Sequence, residues 1–466
     1  MSVDIETIQN ITVGNFVISN QATVKDALQL ISKNKHGIVF LTDENQSVVG
    51  CVTDGDIRNY LIKEDGTDFL NQSISICANT NFVYVYKKHA SHEQLLKTLD
   101  SHIKVVPILT DEFKIVDIVT AQSLRQSKQK GQIVRSKSPV RISFSGGGTD
   151  ISSYFMKNTG AVLNATINLF AYATLIVRDD SKVILHSLDL DIREAFDSIT
   201  EINLTDDLQI IKSVLNIIDP SFGFELITRS DVPVGSGLGG SAVLISAVIG
   251  VFNNYNGNVL DSYEIAQMAY QSERLGSEIA GGWQDQYATV FGGFNYIDLN
   301  NNENVVHPLR VSDHIINELE ESLLLCYTGI SHDSNEIHED QKKVMTNESI
   351  EVYAKKMMEI TVKMKQKLLK NKLSEFGDLL HQSWELKKTF SNKISSDYIN
   401  DIYDFALENG ALGGKVLGAG GGGYFLFYVP TLKRKSVIQA LKKKGLIVER
   451  FQFVMDGLKT WRPNYE

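Results

Sequence analysis

Cysteine is scarce: three in 466 residues, Cys51, Cys77 and Cys326, far apart and odd in number. That excludes a disulfide framework and a compact zinc site, and it suits a reducing compartment. Positive charge is also short, since 46 Lys and Arg against 56 Asp and Glu leave a net charge of −10. A phosphate backbone is held mainly by excess cations, so nucleic acid is not an expected partner. Long apolar runs are missing too. The longest, Ala242 to Phe252, is about half of what a bilayer requires. The opening MSVDIETIQN has neither the basic start nor the apolar core of a signal peptide. No membrane partner is expected, and the expected location is cytoplasmic. What is present, 43% hydrophobic and 22% charged residues, is the composition of a globular chain, and the length asks for two or three domains.

Residues 1–124 read as two similar units. The first runs through ATVKDALQLISKN, GIVFLTD, a DENQ turn, SVVGCVTDGD and a helix start at IRNYLIK. The second repeats that order as ASHEQLLKTLDSH, KVVPILTD, FKIVDIVT and AQSLRQS. Repetition at a fixed period marks duplicated supersecondary units that bury their apolar faces against each other. The stretch that follows, AQSLRQSKQKGQIVRSKSP, carries five basic residues and no acidic one. With so little apolar surface it reads as a linker, placed at 125–138. From 139 to 466, β-rich runs (VRISFSG, AYATLIVRDD, KVILHSL, FELITR, YFLFYV) alternate with helical patterns, the longest near 349–372 and 398–409. This is a mixed α+β layout rather than a regular βαβ repeat.

The strongest local signal is DVPVGSGLGGSAVLISAVIGVF. A strand, FELITRS, leads into a turn containing Pro233, Gly235, Ser236, Gly237, Leu238, Gly239 and Gly240, and an apolar helix follows from Ser241. Glycines let backbone N–H groups approach a ligand with no Cβ in the way. A helix start adds unpaired N–H donors and a positive dipole end, which together favour a phosphate. Ser241 can donate its hydroxyl or offer its oxygen to Mg2+. No Lys follows the last glycine, so this is not a Walker A loop, and the spacing is wrong for a dinucleotide fingerprint. The plainer reading is a glycine turn packed against a sheet.

Two further glycine clusters flank it. SPVRISFSGGGTD places Arg141 on a strand and Gly147, Gly148, Thr149 and Asp150 at the turn that ends it, while GAGGGG (418–423) precedes an apolar strand. Between them, Asp261 and Glu264 form a capping box that opens a helix carrying Glu273 near its end, which stops around Gly276. A carboxylate there opposes the helix dipole and needs a partner, a metal ion or a base such as Arg274. Asp285 follows a Gly-Gly-Trp turn and reads equally as a functional carboxylate or a turn cap. His332 and His338 in GISHDSNEIHED lack the spacing of a compact metal site.

In the order SPVRISFSGGGTD, PVGSGLGGSA, GGWQDQY, GAGGGG, residues 135–466 resemble the GHMP small-molecule kinases. The runs RISFSGGGTD, GGWQDQYATVFGG, CYTGISHDSNEIHEDQ, LLHQSWELKK and GLKTW are similar to the D-glycero-D-manno-heptose 7-phosphate kinase branch, with fucose kinases next. The resemblance implies a two-lobed α+β catalytic domain in which ATP and a sugar or sugar phosphate meet. It implies that 235–241 wrap the ATP phosphates with Pro233 also at the ATP site, that Ser241 and Glu273 hold Mg2+, and that Asp285 accepts the hydroxyl proton beside Arg141. Gly147, Gly148, Thr149, Asp150, Gly420 and Gly421 would bind the acceptor. Many members carry Ser at the place of Gly240, and several use Lys at the place of Arg141. The expected product is the sugar 1-phosphate, with heptose 7-phosphate as first acceptor. The alternatives are a neutral, fucose-like acceptor or a catalytically idle nucleotide-binding regulator. A phosphorylated acceptor needs an extra cation, for which Lys157, Arg178, Lys387 and Lys415 are candidates.

The N-terminal repeat resembles a CBS-domain pair, on GCVTDGDIRNYL. That resemblance implies a regulatory adenine nucleotide at Gly50, Thr53 and Asp56, or else an architectural, dimerising repeat. The second unit carries Asp117, Thr120 and Ser123 at the matching places and lacks the acidic residue at the last of them.

Overall fold

The computed structural model describes residues 13–63, 69–90, 92–99, 103–120, 132–204, 208–233, 235–276, 281–301, 303–330, 337, 340 and 348–463. The chain divides into two compact units, Met1–Lys130 and Gly131–Glu466. Ser123, His332 and His338 lie outside the described residues.

The first unit is a duplication of backbone topology. Strand β1 (Val17–Ser19) pairs parallel with β2 (Ile38–Thr42), which pairs antiparallel with β3 (Val48–Thr53). The same order returns in β4 (Val85–Tyr86), β5 (Val105–Leu109) and β6 (Ile115–Thr120). Even the register shift recurs, at Leu41/Thr42 and at Ile108/Leu109. Helices Val24–Asn34 and His92–Thr98 precede β2 and β5. The halves share a core of Phe40, Val48, Cys51, Val105, Leu109 and Ile118, which is how two units too small to bury an apolar face alone become one.

The second unit is built on a long antiparallel ladder of β7 (Ile133–Ser145) and β8 (Gly160–Val177). The other edge of β8 is shared: β11 (Phe224–Ser230) takes its second half and β12 (Phe294–Leu299) its first. Strands β9 (Val183–Ser187) and β10 (Ile192–Phe196) extend the sheet beyond β11, and β13 (Asn304–Pro308) extends it beyond β12. A second antiparallel sheet orders β15 (Gly413–Val416), β16 (Tyr424–Tyr428), β14 (Leu323–Tyr327) and β17 (Ile447–Glu449). The short β18 (Lys459–Trp461) pairs with β7. Helix Gly240–Tyr255 is apolar nearly all round and is buried, as a helix inside a core must be.

One boundary differs from expectation. Residues 133–138, assigned to the linker, form the first half of β7. Their inward positions, Val134, Ser136 and Ser138, alternate with half-exposed neighbours. Two of the three are hydroxyls with buried partners: Ser136 Oγ donates to Ala247 O at 2.6 Å, and the Ser138 and Thr289 hydroxyls lie 2.6 Å apart. A strand whose buried face is small and polar looks like a linker when only apolar content is counted. Residues 125–131 lie outside the described residues.

Candidate active site

The third glycine turn packs on the central one, and the first shares a cavity wall with both. A Cβ on Gly237 would stand 2.5 Å from Leu417 O, and one on Gly423 would stand 2.3 Å from Ser236 O. Tyr424 N donates to Ser236 O at 3.1 Å. Residues 235–241 and 418–423 therefore stack backbone against backbone, and side chains at the interface would part them. The helix then starts at Gly240 with no side-chain cap, so its first N–H groups stay available to an anion. Gly240 and Ser241 lie on the cavity wall at that point.

Arg141 and Asp285 form the centre. From β7, the Arg141 Nε and Nη2 donate to the two carboxylate oxygens of Asp285 at 2.8 and 2.7 Å, and Nη1 donates to Gly237 O at 2.6 Å. Arg141 is buried, whereas the Asp285 side chain keeps 24% exposure. Asp285 sits in the first turn of helix Gln284–Phe291. Gly239, at φ +79°, leaves the pair room, because a Cβ there would lie 3.2 Å from Asp285 Oδ2.

Around this pair stand three more ionisable groups. Asp150 is buried and accepts from Gly148 N at 2.9 Å and, at 3.4 Å, from Gln284 N. Burial, with the nearby Asp285 charge, raises its pKa. Gly282 passes so close that a Cβ would fall 1.9 Å from Asp150 Oδ2. Glu273 follows helix Ser262–Gln271 in a π-turn, Ser272–Gly276, after the Asp261–Glu264 capping box. Burial pushes its carboxyl up to about 6, against the pull of Arg274. Gln286 Nε2 donates to its Oε2 at 2.5 Å, and Arg274 Nη1 lies 3.4 Å from the same oxygen. Both partners proposed for a carboxylate at a helix end thus stay open, since Arg274 is present and the carboxylate also faces a cavity. Lys387, from helix Leu373–Lys388, donates to Gly418 O.

These groups line one cavity of about 500 Å³. On its wall are Arg141, Gly147, Gly148, Asp150, Pro233, Gly235, Ser236, Gly237, Gly239, Gly240, Ser241, Glu273 and Asp285. Four expected residues stand elsewhere. Leu238 is fully buried in the core. Thr149 turns its hydroxyl to Gly146 O and Ala161 O, holding the turn. Gly420 and Gly421 pack on Ile394, with Gly421 N donating to Ile394 O at 2.7 Å, and Gly418 and Ala419 face the cavity instead. The missed wall residues include Arg274, Gln284, Leu244, Asp189 and Gln209. Leu244 stands within the glycine-loop run itself, and no local motif marks the last two.

In the first unit, Thr53 and Asp56 cap helix Asp54–Lys63. The Thr53 hydroxyl donates to Asp56 Oδ2 at 2.7 Å and accepts from Asp56 N at 3.2 Å. Thr23 and Asp26 repeat that geometry at 2.6 and 3.2 Å. Gly50 is buried, its Cβ direction 3.1 Å from Asn79 O.

Residues 208–293 match the model of the GHMP kinases N terminal domain, residues 364–446 that of the GHMP kinases C terminal domain, and residues 9–63 that of the CBS domain. A D-glycero-alpha-D-manno-heptose 7-phosphate kinase of Campylobacter jejuni is 40% identical over 335 residues, covering 71% of this chain and 99% of that one. An L-fucokinase/L-fucose-1-P guanylyltransferase of Bacteroides fragilis is 30% identical over 63% of this chain and 34% of its own length. The crystal structure of a D-glycero-D-manno-heptose 1-phosphate kinase from Bacteroides thetaiotaomicron superposes with a TM-score of 0.62 at 31% identity, covering 71% of this chain and all of that one.

Proposed function

The chain belongs to the GHMP kinase family, and from that premise we propose that it phosphorylates the anomeric hydroxyl of D-glycero-D-manno-heptose 7-phosphate with ATP, giving the 1,7-bisphosphate and ADP. The family together with its sugar-kinase relatives makes it an ATP-dependent sugar kinase. The heptose phosphate is favoured over a fucose-like acceptor by the 40% identity over nearly all of the Campylobacter jejuni heptose kinase. The observation that carries the reading is the Arg141–Asp285 fork, set against Gly239 in the cavity wall. It puts a carboxylate with free solid angle beside the phosphate loop, where an idle regulator has no use for one.

In the proposed reaction Asp285 takes the proton of the attacking hydroxyl, a general-base role worth about 10²- to 10⁴-fold. Arg141 stays charged, orients that carboxylate and faces the negative charge spread over the phosphoryl oxygens. The backbone N–H groups of 239–241 hold the triphosphate, and Asp150 holds acceptor hydroxyls. Glu273 and Ser241, both on the wall, supply the hard oxygen donors that suit Mg2+. Burial first, and then the Asp285 charge, drive the Glu273 carboxyl upward, a cost that a bound cation would offset. Held by Glu273 and Ser241, Mg2+ would supply positive charge against the phosphate oxygens of ATP. Among the described residues no group of three His, Cys, Asp or Glu is placed to hold a metal, so oxygens of the substrate phosphates would have to complete its ligand set.

With this reading go a cytoplasmic location, a regulatory adenine nucleotide at Gly50, Thr53 and Asp56, and a homodimer through the N-terminal unit. Among the described residues no helix is long and apolar enough to cross a membrane. The test is a coupled ADP-release assay over phosphorylated and neutral sugars. Turnover of neutral sugars alone would defeat the heptose phosphate assignment, and no turnover of any sugar would defeat the kinase reading of this site.

A further inference from the structure

A sugar phosphate brings a dianion into the cavity in addition to the triphosphate, and a cation must meet it. Four basic side chains are candidates from the sequence, and the structure separates them. Lys157 is exposed, away from the cavity wall. Arg178 forks Asp180 at the surface, at 2.7 Å through both nitrogens. Lys415 is fully buried on β15, its Nζ 3.4 Å from Phe144 O, and it does not reach the wall. Only Lys387 of the four lines the cavity.

The two other cations on that wall are already engaged. Arg141 holds Asp285 and Gly237 O. Arg274 gives Nη2 to Gly282 O at 2.9 Å and Nη1 to Glu273, and a Cβ on Gly281 would stand 2.5 Å from its Nη2. Lys387 is 4% exposed, and it donates to a carbonyl, Gly418 O. Among the described residues no carboxylate stands within salt-bridge distance of it. An ammonium has three protons to donate, and a buried cation without a counter-charge is costly unless a ligand supplies one.

We infer that Lys387 selects an acceptor that already carries a phosphate, its ammonium pairing with that phosphate on the cavity wall beside Gly418 and Ala419. The inference rests on the sugar-kinase reading of the same site and adds which residue reads the acceptor's charge. Burial and Arg141 hold the ammonium below its ordinary pKa, opposed by Asp150 and Asp285, and an incoming phosphate relieves both.

The test compares kcat/KM for D-glycero-D-manno-heptose 7-phosphate and for the unphosphorylated heptose on the full chain, in wild type, Lys387→Met and Lys387→Arg. The expected result is a ten- to hundredfold fall in the preference for the phosphorylated sugar in Lys387→Met, the scale of one charge-assisted hydrogen bond. That fall should come through KM, with Lys387→Arg restoring part of it. Calorimetric binding of the sugar phosphate without ATP should weaken in step. Equal loss on both sugars would overturn the inference and make Lys387 a group acting on the transferred phosphoryl. So would an unchanged preference in a folded Lys387→Met. Wild type inactive on both sugars would instead strike the kinase reading itself. Thermal melts and ATP binding show whether each variant is folded.

Discussion

Arg141 and Asp285 meet through two parallel hydrogen bonds, Nε to Oδ1 at 2.8 Å and Nη2 to Oδ2 at 2.7 Å, although 144 positions separate them in the chain. The pair joins β7 to helix Gln284–Phe291 and ties both to the phosphate loop through Gly237 O. Asp285→Ala should abolish turnover and leave ATP binding nearly intact. It should also cost about 3–5 kcal/mol of stability, because Arg141 is left buried and unpaired. Asp285→Asn, which keeps the shape, should lose turnover equally. Arg141→Lys keeps the charge and gives up the fork, for a fall in kcat of about ten- to a hundredfold. Steady-state kinetics beside ATP calorimetry decide this, and turnover retained by Asp285→Ala removes its base role.

Neighbouring glycines should answer substitution in opposite ways. At Gly240 an added Cβ meets nothing nearer than Val232 Cγ2 at 3.9 Å, and φ is negative there. Gly240→Ser, the residue of many relatives by resemblance, should fold and gain a few tenths of a kcal/mol from helix propensity. Gly239→Ala must hold φ near +79° with its methyl 3.2 Å from Asp285 Oδ2, at about 1–2 kcal/mol for the backbone alone. Gly282→Ala drives a methyl into the Asp150 carboxylate, an overpacking of about 1–3 kcal/mol that should also raise the acceptor KM. Denaturant melts and acceptor titrations check the set. Gly282→Ala behaving like Gly240→Ser would mean that Asp150 has room to move.

Much of the cavity was legible because its parts announce themselves locally. The three glycine clusters, Asp150 after a turn and Asp285 after Gly-Gly-Trp are each readable in a short window, and so is the Asp261–Glu264 box. Lys387 is not. It stands in WELKK beside Lys388, which is 27% exposed and paired with Glu385, and only tertiary packing makes one lysine a wall residue and the other a surface residue. The same holds for Gly418 and Gly420: both sit in one glycine run, and the contact with Ile394 decides which of them faces the cavity. The first half of β7 was hidden for a third reason, two of its three inward side chains being serines.

Acceptor binding should depend on pH through Lys387, whose pKa burial lowers to about 8. Arg141 pushes the same way, Asp150 and Asp285 oppose, and Lys415 lies close enough to feel the charge. Below pH 8 the ammonium is charged, so KM for a phosphorylated acceptor should rise as pH climbs through 8. The stability effect has the opposite sign. Folding binds the proton less tightly than the unfolded chain does, so this lysine destabilises the fold below pH 8, and the penalty fades between 8 and the ordinary lysine value of 10.5. Lys387→Met should therefore be more stable than wild type at pH 7, by about 1–3 kcal/mol, with the difference shrinking towards pH 10. Paired denaturant melts at both pH values read this directly, and a variant less stable than wild type at pH 7 would contradict it.

The regulatory site requires a control that the duplicated fold itself supplies. Thr53 and Asp56 make the same reciprocal cap as Thr23 and Asp26, so loss of either carboxylate should lower the melting temperature of the N-terminal unit by a comparable amount. Stability alone therefore says nothing about ribose binding. In the Thr53–Asp56 cap Asp56 Oδ2 accepts both bonds, while among the described residues its other oxygen accepts none, near the strand that carries the buried Gly50. If that oxygen accepts from ribose hydroxyls, Asp56→Ala should weaken AMP binding to the full chain at least tenfold, the order of a hydrogen bond to a charged group. Asp26→Ala should leave AMP affinity where it was. Calorimetry with AMP on wild type and both variants separates the cases: equal effects of the two substitutions, or none, would leave Asp56 as a helix cap only.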